Sequence, residues 1–317
     1  MGIKYVIKKR NALPEGIASG NGRIEGKLVD ISAREPLRVK EILVDEGALV
    51  KPGQVLVKMD TVTLDSQLAE ANAAVQASEE KLAVARANIT KQKSEIDLAD
   101  VEADRSKRLV EQGAGSQREL DVRKTKVETT KAGLSEVEAM LATATENVEV
   151  ARKNAATVQT RIDDATLRSP VTGRVLYRLA EPGEVLAAGG KALTVVNLDD
   201  IYMEIFLPSE QAAAVKVGAE GRVTVDYDPR AIAGQVSFVS PEAQFTPKQV
   251  ETKSEREKLM FRVKIQLPRE IIGQYIERIK TGVRGVGYVK VKDSAVWPAR
   301  LQNLLPTSRP AVGSLSE

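Results

Sequence analysis

The residues best placed to do chemistry in this 317-residue chain are an arginine, a leucine and a serine around one short turn: Arg105, Leu109 and Ser116, with Gly113 and Gly115 between the last two. Arg105 offers a planar fork of donors, Leu109 an apolar knob and Ser116 a hydroxyl. Four residues apart on a helix, Arg105 and Leu109 share a face. Such a set can recognise a surface, whereas bond-breaking chemistry has little to draw on here. The chain has no His and no Cys, which removes Ser–His and Cys–His nucleophile pairs, the usual zinc ligand sets and any disulfide framework together. No catalytic role, cofactor or metal is expected. Forty-seven basic against 44 acidic residues leave a net charge of +3, too mild to point to nucleic acid.

The turn is positioned by two long arms. On the first, residues 68, 75, 82, 89, 96, 103 and 110 are Leu, Val, Leu, Ile, Ile, Ala and Val, and after Leu64 the companion row, 71 to 106 at the same spacing, is small or polar. The second arm answers with Leu120, Val127, Leu134, Leu141, Val148, Ala155 and Ile162, and with Val137, Ala144, Ala151 and Val158 beside them. This is a sustained heptad seam on each arm and predicts two facing helices in an antiparallel coiled-coil hairpin over 61–165. No proline interrupts either arm. The break is the segment 111–116, where Gly113 and Gly115 permit reversal and Ser116 is expected to cap the returning helix with Glu119 at capping-box distance. At about 1.5 Å per residue the rod is roughly 70 Å long, which suggests reach.

Flanking the rod is a repeat. Arg38, Val39, Gly47 and Gly53 recur as Arg174, Val175, Gly183 and Gly189. Each copy is a pair of short β-prone runs about a Gly/Pro turn, and an isolated hairpin of that kind is marginal in water. The two copies, 24–60 and 166–198, are therefore expected to close into one small sandwich with Val39, Ile42, Val55, Val57, Val175, Val185 and Val195 in its core. These halves resemble the biotinyl/lipoyl carrier fold. In that fold the halves meet at a hairpin bearing a modified lysine, but here Lys58 is followed by Met59-Asp60 and then helix, so no swinging-arm lysine is expected.

From 199 to 293 the texture changes to alternating strands: 201–207, 222–227, 234–239, 260–267 and 287–292, with a short helix over 209–216. They predict a small β-barrel of five or six strands around one helix. The segment 242–258 is long and charged for a strand connection, as functional loops often are. The tail, 294–317, is rich in Pro and Ser and reads as disordered. No run of eighteen apolar residues occurs. Residues 1–23 form an N-terminal segment before which a native membrane anchor is expected to be missing. The expected fold class is α+β, elongated and multidomain: a split lipoyl-like domain with an inserted coiled-coil hairpin, plus a barrel.

Taken in order, half domain, hairpin with Arg105, Leu109 and Ser116 at its tip, half domain and barrel resemble the periplasmic adaptors, or membrane fusion proteins, of the HlyD type. The resemblance implies that the tip docks onto a TolC-like outer-membrane channel. It implies further that the β domains pack on an inner-membrane exporter, and that several copies, six in this family, form a ring in the periplasm of a Gram-negative bacterium, attached to the inner membrane. The segment Phe245–Lys253 followed by Met260–Val263 looks like that of adaptors serving ABC-type exporters. An adaptor of an RND or MFS pump and a coiled-coil scaffold without a transport role remain as alternatives. The transported cargo is not legible.

Overall fold

The computed structural model describes residues 13–244, 259–275 and 280–306. Its organising feature is the mutual completion of the two repeat copies. The N–H of Gly47 donates to the carbonyl of Val175 and that of Gly183 to the carbonyl of Val39, both at 2.8 Å. Each glycine sits at positive φ, 84° and 91°, a conformation that costs glycine little and an L-residue substantially. The first half supplies β1 (Ile17–Ser32), β2 (Leu37–Ile42), β3 (Leu49–Val50) and β4 (Val55–Met59), and the second β5 (Thr166–Arg168), β6 (Gly173–Arg178), β7 (Val185–Leu186) and β8 (Lys191–Pro208). One layer runs β5-β4-β2-β7, and the facing layer runs β3-β6-β8 and on to β1. Neighbouring strands thus alternate between halves at β4/β5, β2/β7, β3/β6 and β8/β1. Neither half can bury its apolar face alone.

Of the core expected from sequence, Val39, Val57, Val175 and Val195 are buried, and Ile42 and Val55 are half-buried. Val185 is not core: it is 61% exposed, and its neighbour Leu186 is buried instead. In a two-residue strand, alternation alone cannot say which side chain faces inward. Lys58 lies within β4, between β2 and β5, and its Nζ is 2.5 Å from Glu41 Oε1.

Six strands close the barrel: β1, β9 (Glu220–Val225), β10 (Asp228–Gln244), β11 (Met260–Gln266), β12 (Arg284–Lys290) and β8, in the antiparallel order β1-β12-β9-β10-β11-β8 with β8 returning to β1. The long strands β1 and β8 therefore belong to both domains. Their register shifts between Gly26 and Lys27, where β8 bulges and the ribbon passes from barrel to sandwich. A Cβ at Gly26 would lie 2.6 Å from Val196 Cγ1 and 2.8 Å from Ile201 Cδ1, so only glycine fits this crossing. The barrel carries the short helices α3 (Ser209–Ala213) and α4 (Arg269–Gln274). Both boundaries drawn from sequence move. The N-terminal segment already enters the barrel at Ile17, which pairs with Lys290. The described part of the tail is docked, with Trp297 and Leu301, just before and within α5 (Ala299–Gln302), buried against Ile17, Ala231 and Tyr288. The segment 245–253 lies outside the described residues.

The rod is α1 (Val62–Glu111) and α2 (Gln117–Asp164). Every position of the two rows counted on α1, Leu64 to Val110, is buried or half-buried, and so is every counted position on α2. A polar member of the seam, Gln92, reaches across to the carbonyl of Thr130 at 2.9 Å, and Gly133 opposite leaves it room. Arg152–Glu79, Lys131–Asp100 and Arg123–Glu102 tie the arms at 2.6, 3.1 and 2.7 Å. Exposed pairs of this kind contribute little each and mainly hold register. The seam supplies the rest. Leu82→Ala is expected to lower stability by about 2 kcal/mol in urea unfolding followed by helical circular dichroism. Val84→Ala, two residues on and 62% exposed, is expected to change it by less than about 0.5 kcal/mol. Equal effects would contradict the heptad assignment.

Candidate functional site

The tip is built by a helix stop that the sequence encodes in one glycine. Gly113 takes φ 73°, its N–H bonds to the carbonyl of Val110 at 3.0 Å, and the N–H of Ala114 bonds to the carbonyl of Leu109 at 2.9 Å. This nested pair is a Schellman closure, with the glycine in the left-handed position just past the helix end. Gly115 is required for a different reason. A Cβ there would come within 3.0 Å of the Val110 nitrogen and 3.1 Å of Leu109, so the chain folds back tightly over the end of α1. Both glycines expected at the reversal therefore shape it, one by conformation and one by space.

Ser116 occupies the N-cap position of α2 with extended backbone, φ −93° and ψ 135°, but its side chain makes no capping hydrogen bond. The expected capping box does not form, because Glu119 is taken by Arg123 Nε at 3.0 Å. The hydroxyl of Ser116 is left exposed. Arg105 is exposed and has no ion pair or hydrogen bond among the described residues, and Leu109 is 42% exposed one turn along the same face. Arg108, nearby on α1, points its Nε at the carbonyl of Asp104 at 3.4 Å. The tip thus presents a free guanidinium, an apolar side chain and an uncommitted hydroxyl at the far end of a rigid support. Uncommitted groups of these three kinds can dock against a complementary surface without first breaking internal contacts.

The other end of the rod holds residues that sequence reading did not single out. The chain leaves the sandwich at Met59 and returns at Ala165, whose carbonyl accepts the Met59 N–H at 3.0 Å. Arg161, in the last turn of α2, places Nε and Nη2 on Glu35 Oε2 at 3.0 and 2.7 Å, and Nη1 on Gln67 Oε1 at 3.2 Å. The hydrogen bonds that Arg161 donates to the Glu35 carboxylate raise the Arg161 pKa above its ordinary value. Beside it Arg34 pairs with Asp164 at 2.8 Å. This clamp sets the direction of the rod on the β domain. Its partners are far apart in sequence, and no local pattern announces them. No group of acidic residues able to hold a metal ion occurs among the described residues, and no helix of the described residues is long and apolar enough to cross a membrane.

Comparison with known proteins places this geometry. Residues 81–151 match the family profile described as "RND MFP, alpha-helical hairpin domain". A "UPF0194 membrane protein" of Yersinia pseudotuberculosis serotype O:3 (strain YPIII) is 29% identical over 269 residues, covering 77% of this chain and 82% of its own. A similarly named protein of Enterobacter sp. (strain 638) is 27% identical, covering 77% of this chain and 81% of its own. The crystal structure of MacA from Actinobacillus actinomycetemcomitans superposes with a TM-score of 0.60 at 21% identity, over 87% of this chain and 79% of that one. A MacA–MexA chimera containing the Pseudomonas aeruginosa MexA α-hairpin domain gives 0.52 at 17% identity, over 89% and 83%. At such identities the likeness is one of fold.

The tip geometry carries its own test. Gly113→Ala is expected to cost about 1 kcal/mol, since nothing lies within 4 Å of the added methyl and the penalty is conformational alone. Ser116→Ala is expected to cost less than about 0.5 kcal/mol, against about 1 kcal/mol for loss of a working serine cap. Urea unfolding of both variants checks this, and a full cap penalty at Ser116 would show that its hydroxyl is committed to the helix.

Proposed function

We propose, on the premise that this chain has the fold and the hairpin of a membrane fusion protein, that it is a periplasmic adaptor coupling an inner-membrane exporter to a TolC-like outer-membrane channel. The observation that carries the reading is the free state of Arg105, Leu109 and Ser116 at the end of a two-helix rod. The three side chains stand at the end of the rod farthest from the β domains, where a partner across the gap would be met. The β domains at the opposite end are the exporter-facing part of the protein, and the rod carries the tip across the gap. Several copies, six by family resemblance, stand side by side as a ring. The protein is held at the inner membrane and works in the periplasm, in keeping with the relatives' designation as membrane proteins.

The exporter proposed is of ABC type, a reading that rests on the resemblance of 245–253 to the adaptors of such exporters. An RND pump is the second reading, favoured by the family profile that the hairpin matches. Either way the adaptor contributes no catalytic group; energy comes from its partner, and the cargo is drug-like or a secreted molecule.

The test is retention of a TolC-like channel by the affinity-tagged, detergent-solubilised adaptor. Arg105→Asp and Leu109→Asp are expected to lower retention at least tenfold while the unfolding transition moves by less than about 0.5 kcal/mol, because both side chains are exposed. Channel retention unaffected by both variants would remove the tip from the docking surface. Co-purification of an ATPase subunit or of a proton-driven pump with the wild-type protein distinguishes the two exporter readings.

A further inference from the structure

The barrel contains a space that the adaptor reading does not use. At its end, α4 and the turn between β9 and β10 enclose a cavity of about 240 Å³. Its walls include Ile201, Val225, Leu267 and Ile272, which belong to the barrel's buried apolar core. Protein interiors are close-packed, with few voids larger than a water molecule. Aliphatic walls give water almost nothing to bond to, so a gap of this size and lining favours an apolar occupant.

The lip of the cavity is polar and has a sign. Arg230 is committed to Asp228, with Nε and Nη2 at 3.0 and 2.6 Å from the two carboxylate oxygens, and that pair is neutral overall. Tyr275 closes α4 beside it. Lys280 is exposed on the same lip and has no ion pair or hydrogen bond among the described residues. An apolar interior under a rim whose described residues carry one unbalanced positive charge matches a molecule with an apolar chain and a single anionic head. The volume lies below the ~300–1,000 Å³ of pockets for drug-sized ligands, which suits one short acyl chain better than a fused ring system.

We propose that this cavity binds a single-chain amphiphile with an anionic head, of which a medium-chain fatty carboxylate is the simplest form. The chain inserts between α4 and the barrel core, and the carboxylate stays at the lip against Lys280. The site is independent of the rod and its tip, so its failure leaves the coupling role standing and the reverse also holds.

The test uses the full chain and two probes of equal chain length below their micellar concentrations, decanoate and decyltrimethylammonium, measured by calorimetric titration and by native mass spectrometry. Decanoate is expected to bind at one per chain, at least tenfold more tightly than the cation. Val225→Phe, which fills the cavity, is expected to weaken decanoate at least tenfold. Lys280→Glu, a surface change that leaves the core alone, is expected to weaken it at least fivefold while improving the cation. Absence of saturable decanoate binding, equal affinity for the two probes, or decanoate binding untouched by Lys280→Glu would each overturn the proposal.

Discussion

The constraint on which the rest of the structure depends is the mutual completion of the two halves of the sandwich, marked by the hydrogen bonds from Gly47 to Val175 and from Gly183 to Val39. They are the visible part of a wider interlock in which strands of one half are paired to strands of the other in both layers. A chain cut in this way can be opened at one point and given a long insertion without loss of its core, provided the two ends of the insertion are held together. Pairing of β4 with β5 does that, with Val57 opposite Leu167 and Lys58 opposite Thr166. Loop-closure entropy grows only slowly with the length inserted. The rod adds its own seam, so its length is nearly free of cost to the domain that carries it.

From that root, direction is transmitted by stiff parts. The Arg161–Glu35 and Arg34–Asp164 contacts fix the rod where it leaves the sandwich, and the heptad seam holds its two arms together to the tip. At the other side the ribbon of β1 and β8 runs unbroken from sandwich to barrel, with Gly26 at the crossing. Barrel and sandwich share β1 and β8, and the rod joins the sandwich through only Asp60-Thr61 on one arm and Ala165 on the other. A molecule joined in this manner passes displacement from one end to the other, which is the mechanical requirement for a coupling element. Under the proposed docking role, the chemistry at the tip can be small, because groups held in place in advance spend little ordering entropy on meeting a partner.

The rod was almost fully legible in the sequence, since a seven-residue period repeated over seven heptads is a strong signal and every counted position is at least half-buried. The repeat of Gly47 and Gly53 as Gly183 and Gly189 was legible because each needs positive φ. Burial of Val185 was misread because a two-residue strand has no period to phase it. The roles of Ile17 and Trp297 were missed for another reason: they are long-range contacts between the two ends of the chain, and neither end has a local pattern. At the tip, Arg105, Leu109 and Ser116 are the residues that the family resemblance singles out, but the capping of α2 expected of Ser116 does not form. The Schellman closure at Gly113 fixes the turn, and Arg123 competes for Glu119. That failure of local expectation frees the serine hydroxyl, and sites where local rules fail are often functional.

On the proposed function the tip, and no other part of the rod, meets an outer-membrane partner. Site-specific photocrosslinking in intact cells tests it most directly, with the reactive residue placed in turn at Gln112, at Gln117 and at Val84 on the exposed flank of the shaft. Crosslinks to a TolC-like channel from the two tip positions, and none to it from Val84, are the predicted result. A protein that is expressed, crosslinks from Val84 and fails to capture the channel from either tip position would contradict the account and leave the rod a scaffold.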